Sequence, residues 1–501
     1  MKQLGLKSFA ILLLIFLVSV VVRLPNINRP LSKHHEFTTA FILRIQQIWW
    51  QDGVSTFHFN PVMNYGGRKN KYINNQTFSD FDKNGNSYYI SYPAGAYLLP
   101  YFFFRVLNIY PDVIPLQSYN LFLQFIQGVI FFQIIQLLLQ KQNETNRKQL
   151  GFVAVIFLWF NSCTLWFFSN VYMVDMPAAI FFTACVYSLI NYLINPKWYW
   201  LLTLFCFNLI LGYTEYLGLT FSIIAALLIF IQRKNIVKWF LLELILFFSS
   251  VVPFAIMFYQ YSLIKGWKYY QWFFTQRYAT RSGYNSNEDF ISKIFTVIHE
   301  WIIVGENYLI GFGPLLILAL IFLFKKKEST DVSTNPYLKK ALILFSMPVL
   351  LHHIIFLNAS LYDFFVVKAA PFLVLVLISM LIHRGVSTKS VAGIVLFFMI
   401  ANLSVYYFIN RPGSISQSGD RYDMYQQQAS FINSNSNNDE VIFLKGISDE
   451  PQLIFYAKRN IRTIMNETDA IQFLKMYKLQ KGIIFSKESD GKMVASKLNV
   501  D

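Results

Sequence analysis

The chain has 501 residues, of which 55% are hydrophobic, 18% aromatic and only 14% charged, where soluble domains carry about 25% charged residues. That composition excludes a water-soluble enzyme, and the net charge of +16 has to be located before it is taken as a sign of a nucleic-acid partner. Cys163, Cys185 and Cys206 all fall within apolar runs, so neither a disulfide framework nor a thiolate metal cluster is expected.

A spanning helix needs about 20 apolar residues with few charges, because every backbone polar group must be satisfied within the segment. About eleven segments qualify: Lys7–Val22, Ser118–Gln140, Leu150–Phe168, Val174–Ile194, Trp198–Tyr213, Leu217–Ile231, Trp239–Tyr259, Tyr308–Phe324, Ala341–Leu357, Phe364–Ile382 and Val391–Ile409. The first continues into Arg23 without a small-residue cleavage site, so it is taken as a retained anchor. If the N-terminus is cytoplasmic, alternate connections carry Lys141/Arg147/Lys148, Lys197, Arg233/Lys234/Lys238, Lys325–Lys327 with Lys339/Lys340, and Arg384/Lys389. The short connections on the opposite side, Ser169–Met173, Thr214–Tyr216 and Asn358–Asp363, hold no Lys or Arg. This is the positive-inside pattern, so most of the basic excess is a topology signal and no nucleic-acid partner is expected. It predicts a multi-pass protein of the plasma (inner) membrane with its C-terminus outside.

Two outer stretches, about 24–108 and 261–307, are too polar to span and too long for plain connectors. In the first, Phe37, Phe41, Ile45, Ile48 and Trp49 recur at helical spacing, which predicts an amphipathic helix lying in the bilayer interface with Trp49 and Trp50 as interfacial tryptophans. Pro93–Leu107 is apolar but short and holds two prolines, and is read as a second interfacial helix. Beyond the last span, Arg411–Gly419 has linker composition. The chain therefore divides into a membrane domain over 1–409, a linker over 410–420 and a small soluble domain over 421–501. In the last, Tyr422–Asn433 and Ala470–Tyr477 are helix-like, while Val441–Leu444, Leu453–Tyr456, Ile461–Ile464 and Gly482–Phe485 are strand-like. That alternation predicts an α/β domain on the outer face.

Ionisable residues in or beside spans are costly and so are candidates for function. Glu36, Asp175, Glu215 and Asp363 all fall on the outer side. Asp175 and Asp363 would serve equally as helix N-terminal carboxylates, and Glu215 fits a solvated loop tip. Glu36 begins the first interfacial helix, at headgroup depth beneath a loop that can exclude water. Its neighbours His34 and His35 leave a divalent metal open as a cofactor, although adjacent residues point to different faces and the spacing matches no familiar zinc motif. Among the cations, Arg277 and Arg281 stand one helical turn apart and can face one anion. Lys83 and Arg105 flank the interfacial helix of the first outer stretch, and Lys368 lies within a span five positions after Asp363. The plainer alternatives are a Lys368–Asp363 pair and arginines against ordinary lipid phosphates. His352-His353 are either a satisfied polar pair or a headgroup contact.

Three segments carry a family likeness: His35-Glu36-Phe37 leading into Phe41–Arg44, Tyr88–Leu99 with Tyr92 and Pro93, and Leu351–Asp363 with its histidines, Asn358 and Asp363. With the helical plan and the C-terminal appendage, the chain resembles the GT-C superfamily of polytopic glycosyltransferases, in particular glycosyltransferase family 39, the protein O-mannosyltransferases and the lipid A aminoarabinose transferases. The resemblance implies a GT-C membrane fold, Glu36 as catalytic base and Asp175 as a second, supporting acid. The family often carries Asp or Asp-Glu where this chain has His35-Glu36, and aminoarabinose transferases carry Lys-Pro-Pro where it has Ser91-Tyr92-Pro93. Trp49-Trp50-Gln51-Asp52 matches the WWD-type motif of oligosaccharyltransferases by its letters only, since that motif belongs to a soluble C-terminal domain.

The residues allow the same chemistry. Sugar transfer from a polyprenyl-phosphate donor needs a carboxylate to take the acceptor proton and cations to hold the departing phosphate. Arg277, Arg281, Lys368 and Lys83 are the expected phosphate ligands, with His35, His353, Asp363 and Tyr92 in support. The acceptor would be a protein, a glycolipid or a polysaccharide. The competing classes are a transporter or flippase of a lipid-linked sugar, disfavoured by only 22 glycines and by the lack of paired broken spans, and an O-antigen polymerase or ligase built on outer-loop arginines.

Overall fold

The computed structural model describes residues 5–66, 71, 79–82, 84–231, 236–283, 290–324, 335–384, 386, 388–410, 423–488 and 491–500. Lys83 and most of the expected linker lie outside them. The chain opens with α1 (Leu6–Arg23), a run of Leu, Ile, Val and Phe whose large side chains mostly face outward, as an apolar helix does in lipid. The region before the next long helix holds α2 (Glu36–Asp52), an antiparallel pair of strands β1 (Ser79–Phe81) and β2 (Ser87–Tyr89), and α3 (Gly95–Leu107). The helical body follows with α4 (Val113–Leu138), α5 (Glu144–Trp159), α6 (Ser162–Asn170), α7 (Asp175–Ile194), α8 (Trp198–Thr214), α9 (Leu217–Ile231) and α10 (Ile236–Lys265). It continues through α11 (Trp267–Ser282), α12 (Phe290–Phe324), α13 (Pro336–Ile355), α14 (Ala370–His383) and α15 (Thr388–Val405).

Among the described residues eight helices are long and apolar enough to cross a membrane, or nine if the bent pair α5–α6 is one span. The shorter apolar helices α8 and α9 stand where two more spans were expected. The Leu150–Phe168 segment is not one straight helix. It turns by 62° between α5 and α6, where the Asn161 side chain caps the new helix by accepting from the Cys163 and Thr164 amides. Close packing of α4 on α5 depends on Gly128, because a Cβ there would collide with the Trp159 ring.

The expected interfacial helix over Phe37–Trp50 is instead an interior one. Every residue of α2 from Thr38 to Trp49 is buried, Arg44, Gln46 and Gln47 included. Trp49 donates its indole N–H to the Asn60 carbonyl at 3.1 Å rather than reaching a headgroup layer. Sequence periodicity could not show that the end of the chain packs against this helix. By contrast α3 buries Tyr97, Tyr101 and Phe104 and exposes Phe102, Val106 and Leu107, the two-faced pattern of an interfacial helix.

The C-terminal part comprises α16 (Met424–Asn435), β3 (Val441–Lys445), α17 (Pro451–Ala457), β4 (Ile461–Ile464), α18 (Glu467–Met476), β5 (Lys481–Lys487) and β6 (Met493–Asn499). Its sheet runs β4-β3-β5-β6, parallel except for β6 at one edge. The strand expected at Leu453–Tyr456 is the helix α17: a short apolar run suits either state, and Pro451 in its first turn starts a helix. This helix packs on α2, where the Leu31 amide donates to the Tyr456 hydroxyl and the Gln452 amide to the Ser32 carbonyl, both at 2.7 Å.

Candidate active site

Three polar clusters are assembled from distant parts of the chain. The first lies at the N-terminus of α2, under α17. Arg29 meets Glu36 as a fork, each terminal nitrogen 2.9 Å from a different carboxylate oxygen. The Ser32 amide and hydroxyl donate to the same carboxylate at 2.5 and 2.6 Å, and the Glu36 side chain has no exposure. Glu36, expected as the catalytic base, accepts on both oxygens and ties residues 29–36 to the helix start.

Beside this clamp the Asp363 carboxylate faces two imidazoles, with His34 Nε2 at 3.1 Å and His35 Nε2 at 2.9 Å. His34 Nδ1 lies 2.7 Å from the Asn410 carbonyl, and its ring stacks on Trp166 at 5.0 Å. Burial works against charge on His34, but the Asp363 carboxylate outweighs it and lifts the imidazole above its ordinary pKa. His35 adopts the left-handed backbone conformation at φ 56°, a region few non-glycine residues enter. The donor atoms of His34, His35 and Asp363 lie within 4.8 Å of one another, a nitrogen and carboxylate set that fits a zinc-type ion acting as a Lewis acid. Glu36, turned toward Arg29, is not part of that set.

The second cluster is sealed. Lys368 binds Asp175 at 2.7 Å, and neither side chain is exposed. Lys368 was expected either to pair with Asp363 or to reach the donor phosphate, and its ion pair is with Asp175 instead of Asp363. Asp363–Ala369 is a 3-10 helix, so five residues rotate the side chain by about 240° away from Asp363. Glu215, expected at a solvated tip, is buried in the turn between α8 and α9 and lies 2.7 Å from His352 Nε2. Lys368 Nζ is 3.4 Å from His352 Nδ1 and 3.2 Å above the Phe365 ring. His353 turns away to meet the Tyr308 hydroxyl at 3.0 Å.

The third cluster joins α11 to the segment before α3. Arg277 donates through Nε at 2.8 Å, and also through Nη2, to the Ser91 hydroxyl. Arg281 Nη2 donates to the same oxygen at 2.9 Å. The Arg281 guanidinium lies 3.8 Å from the Tyr92 ring centre, and its buried Nε has no hydrogen-bond partner among the described residues. Burial lowers the Arg277 pKa, with Arg281 adding repulsion. Two cations forced together around one neutral oxygen call for an anion. The charges of Arg281, Asp175 and Glu215 all act on the buried Tyr92, so the third cluster borders the second.

No family model and no curated protein matches the sequence. Solved structures do match it. ArnT from Cupriavidus metallidurans, solved bound to undecaprenyl phosphate, is 12% identical with a TM-score of 0.56, over 97% of this chain and 93% of that one. The oligosaccharyltransferase of Archaeoglobus fulgidus, tethered to an acceptor peptide containing the NVT sequon, is 11% identical with a TM-score of 0.52, over 100% of this chain and 74% of that one. The arabinofuranosyltransferase AftD from mycobacteria is 10% identical with a TM-score of 0.50, over 97% of this chain and 35% of that one. The chain has the GT-C fold.

The sequence pointed to most members of the clusters but not to their partners. Arg29, Ser32 and Ser91 were not anticipated, since nothing in their spacing marks them. Glu215 was seen but given the wrong surroundings. Only the helical spacing of Arg277 and Arg281 predicted a convergence, and their side chains do converge.

Proposed function

We propose that the chain is a glycosyltransferase that moves a monosaccharide from a polyprenyl-phosphate donor to an acceptor hydroxyl on the outer side of the membrane. The observation that carries this reading is the convergence of Arg277 and Arg281 on the Ser91 oxygen, the position a phosphate oxygen would take. The GT-C fold shared with ArnT, solved with undecaprenyl phosphate bound, supports a lipid-phosphate donor. Tyr92 under Arg281 would hold that guanidinium in place, and Asp175, through the sealed cluster, would balance the charge behind it.

In the transfer, the acceptor oxygen bonds to the anomeric carbon while the bond from that carbon to the phosphate oxygen breaks. The electron pair leaves with the phosphate, stabilised by the two arginines, and the acceptor proton passes to a base on the opposite side. Phosphate leaves readily, so no general acid is needed. One displacement inverts the configuration.

The experiment is to supply purified protein in lipid nanodiscs with undecaprenyl-phosphate-linked mannose, glucose or 4-amino-4-deoxyarabinose and to measure undecaprenyl phosphate released. Turnover of one of these donors is expected, and Arg281→Ala should reduce it by about 10²–10³-fold. Passage of an intact sugar-lipid across proteoliposomes without cleavage would instead make the protein a flippase.

A further inference from the structure

Consecutive histidines in a regular helix or strand point to different faces, which argues against their sharing one ligand. Here the backbone removes that obstacle. His35 is held at φ 56° immediately ahead of α2, with its carbonyl accepting from the Thr38 amide and hydroxyl at 3.1 and 2.8 Å. The turn brings the two imidazoles to a centroid separation of 5.3 Å, and both reach one carboxylate: His34 Nε2 lies 3.1 Å from Asp363 Oδ2, and His35 Nε2 2.9 Å from Oδ1. A strained non-glycine residue persists only where its surroundings over-determine it, and such residues gather at functional sites.

The His35 contact is not that of a satisfied ion pair. Asp363 Oδ1 is buried and has no hydrogen-bond partner among the described residues, although His35 Nε2 stands 2.9 Å away. The distance suits a hydrogen bond and the direction does not. Such a contact arises where lone pairs converge on a common point rather than on each other. We propose that His34 Nε2, His35 Nε2 and the Asp363 carboxylate bind a zinc ion. Their donor atoms lie within 4.8 Å of one another. A tetrahedral ion with bonds of about 2.0–2.1 Å sets its ligand atoms about 3.4 Å apart, so small side-chain shifts seat it.

The surroundings of His34 fit the same assignment. A histidine that ligates a metal through one ring nitrogen characteristically donates the other N–H to a backbone carbonyl or carboxylate, which fixes its tautomer and orientation. His34 Nδ1 meets the Asn410 carbonyl at 2.7 Å, and Trp166 stacks on the ring at 5.0 Å. Nδ1 therefore carries a proton and Nε2 is the ligand nitrogen. Nε2 shares its proton with Asp363 Oδ2, and zinc displaces that proton. Two imidazoles and one carboxylate favour zinc over magnesium or calcium, which take oxygen ligands. Three protein ligands leave a fourth position open, as in catalytic zinc sites. His35 and Asp363, with 22% and 23% side-chain exposure, give water or a substrate oxygen access to it. The ion also ties the loop ahead of α2 to a segment 329 positions further along the chain. The site stands apart from the transferase reading, since zinc binding is measured without turnover.

The test uses the full-length protein in detergent, stripped with a chelator and then dialysed against zinc. Elemental analysis should find about one zinc per chain that excess magnesium does not displace. Zinc X-ray absorption should show imidazole nitrogen and oxygen neighbours at about 2.0–2.1 Å, with no sulfur. His35→Gln and Asp363→Ala should each weaken zinc binding by more than about 100-fold, beyond the roughly 10–100-fold of an outer-shell change, whereas His353→Gln, outside the set, should keep it. Because a variant can fail to fold, the wild type supplies a second measure: zinc should shield His35 from carbethoxylation by diethyl pyrocarbonate, read by peptide mass spectrometry. The inference is overturned by a wild type that takes up no zinc, by a sulfur-ligated ion, by His35→Gln binding zinc as tightly as the wild type, or by equal carbethoxylation of His35 with and without zinc. Donor cleavage by a wild type that binds no zinc removes this site alone. Zinc bound as expected by a protein that cleaves no donor removes the transferase reading and leaves the site.

Discussion

The Glu36–His35–Asp363 cluster and the Asp175–Lys368–Glu215–His352 cluster use similar residues, and each ties early chain to late chain. They differ in access to water. His35 and Asp363 keep 22% and 23% side-chain exposure, whereas no ion-paired side chain of the second cluster exceeds 1%. A charge sealed from water and matched by a partner contributes little net stability, but removing that partner leaves it stranded at a large cost. Changes in the sealed cluster should therefore register as stability. Changes at the rim should register as activity, except at Glu36, which belongs to both because its carboxylate holds the rim loop in place.

The largest effect is expected where the sealed cluster loses its cation. Lys368→Met leaves Asp175 and Glu215 buried without it and should cost about 3–5 kcal/mol, read as a fall in the thermal midpoint of detergent-solubilised protein. Combining it with Asp175→Asn should recover part of that loss, since the two residues are coupled. A Lys368→Met protein that melts with the wild type would show that water reaches the cluster and would erase the contrast. Next is Glu36→Gln, which takes the charge from the Arg29 fork and from the Ser32 bonds. It should cost about 1.5–3 kcal/mol and abolish transfer as well. If Glu36→Gln lost activity with no change in melting, the carboxylate would be acting on substrate rather than on the loop.

The sequence marked these clusters unevenly. Apolar patterning was enough to find most of the long apolar helices and to pick out Glu36, Asp175, Asp363 and Lys368 as unusual. Which carboxylate meets which cation was not readable: Lys368 pairs with Asp175, 193 positions away, rather than with Asp363 nearby, because a 3-10 segment changes the rotation between them. Arg29 looked like any loop arginine until the loop folded back on Glu36. The polar residues of α2 marked an exposed face for the same reason, since Gln47 finds its partner in the Pro111 carbonyl and α17, some 400 residues further along the chain, packs on the same helix. Helical spacing succeeded only for Arg277 and Arg281, whose partner is set by their own helix.

The smallest effect probes how far the rim depends on that cover. The Leu31 amide has a partner in the Tyr456 hydroxyl, and Leu31 is fully buried, so Tyr456→Phe leaves a buried N–H without an acceptor and should cost about 1 kcal/mol. The loss falls on the loop between Arg29 and Glu36, while the sealed cluster lies outside it. Amide exchange should therefore quicken at Leu31 and Ser32 and stay slow in α7, and transfer should weaken by less than in Glu36→Gln. Equal quickening in α7 would mean that the two clusters share one cooperative unit, and the difference in exposure between them would then not divide stability from activity.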